Sequence, residues 1–219
     1  MDFEFWQERW DNSQIGFHQD EINPSLIEYL PKITRASKEE RALVPLCGKS
    51  QDMIFLKEAG FHVHGVEMVE VAARDFFQEN HLDYLVQEIK PGLKKFKSEN
   101  IEISCTDFLQ IEAGNLSAFS FIFDRAALVA LPEKLRRQYA KKISEISKAG
   151  VEMLLVTFEY EPDMGGPPFC VPLDEVEKLY SNEWDIELLS KKDILKENPR
   201  FVKRGLTSFS EETLLLKRK

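Results

Sequence analysis

Short apolar runs alternate with amphipathic stretches along most of this chain, the rhythm of an open sheet whose strands are joined by helices. Ala42 to Leu46 is apolar and reads as a strand; a tight turn with Gly48 follows, then a helix opening at Ser50. A second strand runs from His62 to Val66 and ends on Glu67. Val69 to Glu79 predicts another helix, and Tyr84 to Asn100, polar and lysine-rich, reads as a solvated surface connection. Ile101 to Cys105 alternates as a strand and leads into Thr106-Asp107-Phe108. Phe119 to Phe123 predicts a buried central strand ending in Asp124-Arg125. Pro132 opens a helix in which Leu135, Tyr139, Ile143 and Ile146 recur at helical spacing. Val151 to Phe158 is a further strand, followed by a proline- and glycine-rich loop from Glu159 to Phe169 and a helix from Val171 to Tyr180. Trp184 to Leu189 and Glu212 to Leu216 close the chain as strands with no long helix between them, which predicts a final antiparallel hairpin. Residues 1–24 are aromatic-rich and loop-like, and Pro24-Ser25 starts a short helix through Leu30.

This order implies an α/β fold with a doubly wound, mostly parallel sheet. Such sheets bind ligands beyond the carboxyl ends of their strands. Leu46 to Gly48, Glu67, Asp107-Phe108, Asp124-Arg125 and Glu159 are therefore expected to converge on one crevice.

The turn and the acid after it are the most informative pair. Glu67 lies about twenty residues beyond the glycine turn, the spacing of a nucleotide-binding βαβ unit. A carboxylate there can accept both hydroxyls of a ribose. A dinucleotide fingerprint needs G-x-G-x-x-G, whereas this turn has only Gly48, preceded by Leu46 and Cys47. Gly48-Lys49-Ser50 mimics the end of a phosphate loop, but Leu43 stands where that loop needs its first glycine. With nothing to cradle a polyphosphate, a nucleoside without phosphates fits better, and S-adenosylmethionine is the common one. An ordinary α/β unit with no ligand is the alternative.

Asp124-Arg125, directly after an apolar strand, must lie at the mouth of the sheet, since unpaired ions are costly to bury. It is either a structural ion pair or an arginine that meets substrate or the carboxylate of the cofactor's methionine moiety. Trp6 and Trp10, four apart, can share a helical face, for packing or for stabilising a sulfonium by cation–π contact. His62 and His64 are expected to be packing residues, and His18, after Phe17, either faces the site or is a solvated loop histidine, the latter expected. No G-x-S-x-G elbow and no H-E-x-x-H motif is present.

Composition narrows the picture further. The 219 residues suggest a single domain over 1–219, the aromatic surface of residues 1–24 points to an N-terminal lid or else a permanently packed helix, and a net charge of −9 argues against binding a nucleic-acid backbone. Cys47, Cys105 and Cys170 show neither metal spacing nor a disulfide framework, which suits a reducing cytoplasm. The N-terminus is too acidic for a signal peptide, and no segment has the apolar length of a membrane span. A monomer with a small-molecule partner is expected.

Several blocks together resemble the thiopurine S-methyltransferase family of class I methyltransferases: W6QERW10 with G16FHQ19, V44PLCGKSQDM53 with G65VE67, D124RAALVALP132, L154LVTFEY160 and G166PPF169. The resemblance implies a seven-stranded sheet with an antiparallel last strand and an S-adenosyl-L-methionine site. By match to family motifs it implies cofactor contacts from Trp10, Leu46, Gly48, Glu67 and Arg125, with Asp107 and Phe108 bordering the adenine. Phe17, Arg125 and Arg200 would lie on the substrate side. The stretch 84–100 and the C-terminal tail match the family poorly.

The implied reaction is direct in-line methyl transfer to an aromatic or heterocyclic thiol, with no general base and no metal. Acceptors such as selenium or tellurium oxyanions, halides or thiol anions are the alternative. Two readings from other classes are a nicotinamide oxidoreductase, opposed by the missing glycines, and a non-catalytic module that binds S-adenosylmethionine.

Overall fold

A computed structural model describes residues 3–33 and 40–219. The chain forms two compact units, Met1–Phe123 and Asp124–Lys219.

The first unit opens with two helices, α1 (Phe3–Asp11) and α2 (Pro24–Ile33). Strand β1 (Arg41–Pro45), helix α3 (Asp52–Glu58), strand β2 (His62–Glu67) and helix α4 (Glu70–Glu79) follow. A hairpin of β3 (Leu85–Lys90) and β4 (Leu93–Lys97) leads to β5 (Ile101–Cys105) and β6 (Phe121–Asp124), whose last residue begins the second unit. These strands lie in the order β3-β4-β5-β2-β1-β6. β1 pairs in parallel with β2 and β6, and β2 with β5, whereas β4 runs antiparallel to β5 and to β3.

The parallel strands are covered on both faces, which is why β1 is apolar and buried from Ala42 to Pro45 after its exposed first residue, Arg41. β2 is buried despite its polar composition. His64 Nε2 is 2.8 Å from Ser104 Oγ and 3.5 Å from Glu102 Oε1, and burial pulls the imidazole down to about 4, so it stays neutral. Gly65 admits α3: a Cβ there would lie 2.7 Å from Cys47 Sγ and 3.0 Å from Met53 Sδ.

In the second unit, α5 (Glu133–Ile146) is followed by β7 (Glu152–Glu161), α6 (Leu173–Tyr180), β8 (Trp184–Asp193), α7 (Pro199–Lys203) and β9 (Ser208–Arg218). Pro132 caps α5, which buries Tyr139, Ala140 and Ile143 on one face. β9 lies between β7 and β8 and is antiparallel to both, as the expected final hairpin requires. Asp124 accepts the Tyr139 hydroxyl at 2.7 Å and the N–H groups of Ala127 and Leu128 at 3.1 and 3.2 Å. Burial nevertheless pushes its carboxyl up to about 6.

Two sequence-based expectations fail in the first unit. Residues 84–100 are not a surface connection. They form the β3–β4 hairpin, because Leu93 and Phe96 are buried, Phe96 pairing across to Val86 and Tyr84 ring-packing on Phe77 and Phe96. The lysines that made the segment look solvated pair with acids: Lys95 and Lys97 with Glu102, Lys94 with Glu70, Lys90 with Glu112. The hairpin adds two strands to the expected seven, giving nine among the described residues. The N-terminal aromatic stretch is not loop throughout, because α1 organises Phe3–Asp11; Met1 and Asp2 of the expected lid lie outside the described residues.

Boundaries also shift. α3 begins at Asp52 rather than Ser50, and β7 runs on to Glu161, so Glu159 lies within a strand. No helix among the described residues is long and apolar enough to cross a membrane.

Candidate active site

The turn after β1 is strained in a way that shapes a site. Leu46 has φ +48° and Gly48 φ +50°, both left-handed. For a leucine this conformation costs on the order of 1 kcal/mol or more and persists only where neighbours enforce it. Here Cys47 N–H donates to the Val66 carbonyl at 3.0 Å and Ser50 N–H to the Cys47 carbonyl at 3.1 Å.

Glu67 completes the brace. Its Oε2 accepts the Gly48 N–H at 2.9 Å and its Oε1 the Val69 N–H at 2.8 Å, so one carboxylate ties the β1 turn to the start of α4. Burial pushes the Glu67 carboxyl up, while the N–H groups of Val69, Gly48 and Met68 hold it back. A carboxylate offers about four acceptor lone pairs, so two N–H bonds leave capacity for about two more donors.

Above the turn lies an aromatic cover. A Cβ at position 48 would sit 3.1 Å from Trp10 Cζ2, so only glycine lets the indole lie this close to the backbone. Trp10 is buried with Val69 and Ala72, and Trp6, Ile15, Phe17, Met68 and Val71 pack around them. The Phe17 ring meets Trp10 edge-on at 5.7 Å and Trp6 at 5.5 Å. His18 is drawn inward as well. Its side chain is only 10% exposed, with Nε2 3.3 Å from Asp20 Oδ1, not the solvated histidine expected.

On the other side of β2, Thr106 N–H donates to the Glu67 carbonyl at 2.8 Å, which brings the start of the β5 loop beside the acid. Asp107 Oδ1 then accepts the Leu109 N–H at 2.9 Å, and Phe108 is buried. Trp10, Phe17, Leu46, Gly48 and Glu67 thus surround one turn of the first unit, with Asp107 and Phe108 on the adjoining loop. The thiols of Cys47 and Cys105 are pushed up by burial, Cys105 to about 12, so neither is a ready nucleophile. No cluster of three or more metal-ligating side chains occurs among the described residues.

Arg125 and Arg200 belong to the second unit. Arg125, half-buried, directly follows β6; burial pushes the Glu211 carboxyl up, and the charge of Lys192, then that of Arg125, works against the rise. Glu211 escaped sequence reasoning, since only the antiparallel register of β9 on β7 opposes it to Phe158. Arg200 is exposed on α7, its guanidinium 4.7 Å from the centroid of the Phe201 ring. Also missed was a buried polar knot of Asn23, Ser50 and Asp52 beside the turn. Its sequence trace is the Asn-Pro-Ser and Ser-Gln-Asp capping patterns before two helices.

The fold is that of S-adenosylmethionine-dependent methyltransferases. It is similar to a methyltransferase of that kind from Anabaena variabilis, with a TM-score of 0.66 and 12% identity over 99% of this chain and 94% of that one. TehB from Haemophilus influenzae gives 0.63 and 15% over 97% and 67%. Sequence carries the assignment further. The family described as Thiopurine S-methyltransferase matches residues 1–219. Proteins of that name from Nitrosospira multiformis and Azotobacter vinelandii are each 41% identical, over 99% and 100% of this chain and 98% and 100% of their own lengths. The chain belongs to the thiopurine S-methyltransferase family, and so to the S-adenosylmethionine-dependent methyltransferases.

Proposed function

We propose that this protein transfers a methyl group from S-adenosyl-L-methionine to the sulfur of an aromatic or heterocyclic thiol, such as a thiopurine. The observation that carries the reading is the single-glycine turn, braced by the Glu67 carboxylate and roofed by Trp10. Those features fit a nucleoside. Glu67 keeps lone pairs for a cis-diol, Gly48 leaves room for the Trp10 indole against the turn, and no glycine-rich loop invites a pyrophosphate. The names of the full-length relatives support the acceptor class.

When bound, S-adenosylmethionine supplies an electrophilic sulfonium methyl. The chain's own task is to bind, align and dry the site, which can lower a barrier by several kcal/mol, up to about 7–11 in ideal cases. Glu67 and Gly48 fix the nucleoside, Leu46, Asp107 and Phe108 border it, and Trp10 offers an aromatic face to positive charge. Phe17 is assigned to the acceptor. Arg125 and Arg200 keep the roles that the family motifs imply, Arg125 toward cofactor and acceptor and Arg200 toward the acceptor. A positive charge beside the acceptor stabilises its thiolate, so no general base is required.

The test is methyl transfer to 6-mercaptopurine and thiophenol, set beside selenite, tellurite and iodide, together with calorimetric binding of S-adenosylhomocysteine. Turnover of the thiols above the inorganic acceptors is expected. Turnover of the inorganic acceptors alone overturns the thiol assignment, and no binding of S-adenosylhomocysteine overturns the whole reading.

A further inference from the structure

Asn23, Ser50 and Asp52 are among the most buried polar residues of the first unit, at 1, 7 and 2% exposure. Asp52 Oδ1 accepts the backbone N–H of Asn23 at 2.7 Å, and Oδ2 accepts the Ser50 hydroxyl at 2.6 Å. Ser50 Oγ in turn accepts the Asp52 N–H at 3.2 Å. Asn23 passes the order on: its side-chain oxygen accepts the Ser25 N–H at 3.0 Å, and its carbonyl accepts Leu26 N–H, also at 3.0 Å, opening α2.

The position of this knot gives it a use. Asn23 is where the N-terminal segment ends, six residues past Phe17, and Asp52 lies four past Gly48. The segment that carries Trp10 and Phe17 is therefore fastened twice to one short stretch of chain. Trp10 lies on the Gly48 backbone at one end, and Asn23 is held by Asp52 at the other. Between the anchors the path is tight. Gln14 N–H donates to the Arg9 carbonyl at 2.8 Å and His18 N–H to the Ile15 carbonyl at 2.8 Å, leaving little slack to absorb a loosened end.

We infer that Asp52 is a positioning residue for methyl transfer: by clasping the Asn23 backbone it sets the height of Trp10 and Phe17 over the Gly48 turn. The inference rests on the reading that this turn takes the cofactor. Asp52 touches neither cofactor nor acceptor; it acts through the segment it holds.

Asp52→Ala and Asp52→Asn separate this from a plain structural role. Asparagine keeps an acceptor for the Asn23 N–H and can donate its amide to Ser50 Oγ, whereas alanine leaves that buried N–H without a partner. In the ligand-free protein, Asp52→Ala is expected to speed amide exchange in residues 3–22 while leaving β7, β8 and β9 unchanged. It should raise both the KM for S-adenosylmethionine and the dissociation constant of S-adenosylhomocysteine about tenfold, which corresponds to about 1.4 kcal/mol. Asp52→Asn should restore both. A lower melting temperature with unchanged exchange in residues 3–22 and unchanged KM overturns the inference. Failure of the wild type to bind S-adenosylhomocysteine instead removes the cofactor reading beneath it. Should Asp52→Ala not fold, Ser50→Ala decides: looser exchange in residues 3–22 supports the clasp, and unchanged exchange overturns it.

Discussion

The indole of Trp10 lies directly on the backbone of Gly48, so closely that a β-carbon there would come within 3.1 Å of Trp10 Cζ2. Gly48 also has φ +50°, so Gly48→Ala meets two obstacles at once, a left-handed backbone and a displaced ring. The variant should lose about 1–2 kcal/mol of stability, the usual cost of a left-handed non-glycine residue. Its affinity for S-adenosylhomocysteine should fall with it. Urea unfolding and calorimetry check the two effects separately, and a variant as stable and as tight-binding as the wild type would remove the turn from the site.

Glu67 is expected to matter twice, once to the turn and once to the ligand. Glu67→Ala leaves the Gly48 and Val69 N–H groups without the acceptor they have now, at about 1–3 kcal/mol for the buried Val69 donor and less for the half-buried Gly48 one. Glu67→Gln keeps one good acceptor oxygen, so it should recover part of the stability but not the ligand affinity. Calorimetric titration of S-adenosylhomocysteine should show at least about a tenfold loss in Glu67→Ala. Unchanged affinity in the folded variant would sink the assignment.

Asp124 and His64 should give opposite pH dependences of stability. The Asp124 carboxyl rises from 3.8 to about 6 on folding, so its favourable contribution is complete below 3.8 and is lost as pH rises through about 6. The His64 imidazole falls from 6.5 to about 4, so its contribution is complete above 6.5 and is lost as pH falls toward 4. Between pH 4 and 6 the two slopes oppose each other. Relative to wild type, Asp124→Asn should therefore lose stability on acidification across this window, and His64→Gln should gain it, each by about 2–3 kcal/mol at most. Urea midpoints measured at pH 4.5 and 7 would refute the assignment if both variants shift in the same direction.

Arg125→Ala should fold and lose most of its turnover with a thiol acceptor. Lysine should rescue in part only, because it lacks the planar fork of the guanidinium. Removing this cation should also let the Glu211 carboxyl rise further, since the Arg125 charge now opposes that rise. Wild-type rates in both variants would reduce Arg125 to a structural partner of its neighbours.

Local pattern made much of the fold readable. Ile101–Cys105 is observed with the expected bounds, and the final antiparallel pair is observed, because each announces itself by apolar runs and turn residues. The spacing from Gly48 to Glu67 also announced a relationship, although it pointed to a ligand and left unforeseen that the acid bonds the glycine itself. What sequence hid was long-range. Lysines at 90–97 look solvated until the fold brings Glu70 of α4, Glu102 of β5 and Glu112 of the loop after it to them. Nothing near Asn23 in the chain announces that its N–H will find Asp52, twenty-nine residues away. Local periodicity reports which face of an element is buried; it does not report which distant partner satisfies a buried polar atom.

The strand at the border of the first unit gives the molecule an unfinished side. β3 is exposed along its whole length, with Leu85 at 79% and Val86 at 53% exposure, and among the described residues no strand lies beyond it in the sheet order. An open border of this kind is a template on which another chain can lay a strand, and aliphatic side chains make the addition adhesive. For anyone concentrating or warming this protein, joining of molecules edge to edge with their cores intact is the expected first route of loss. A lysine in place of Val86 should extend its shelf life without touching catalysis.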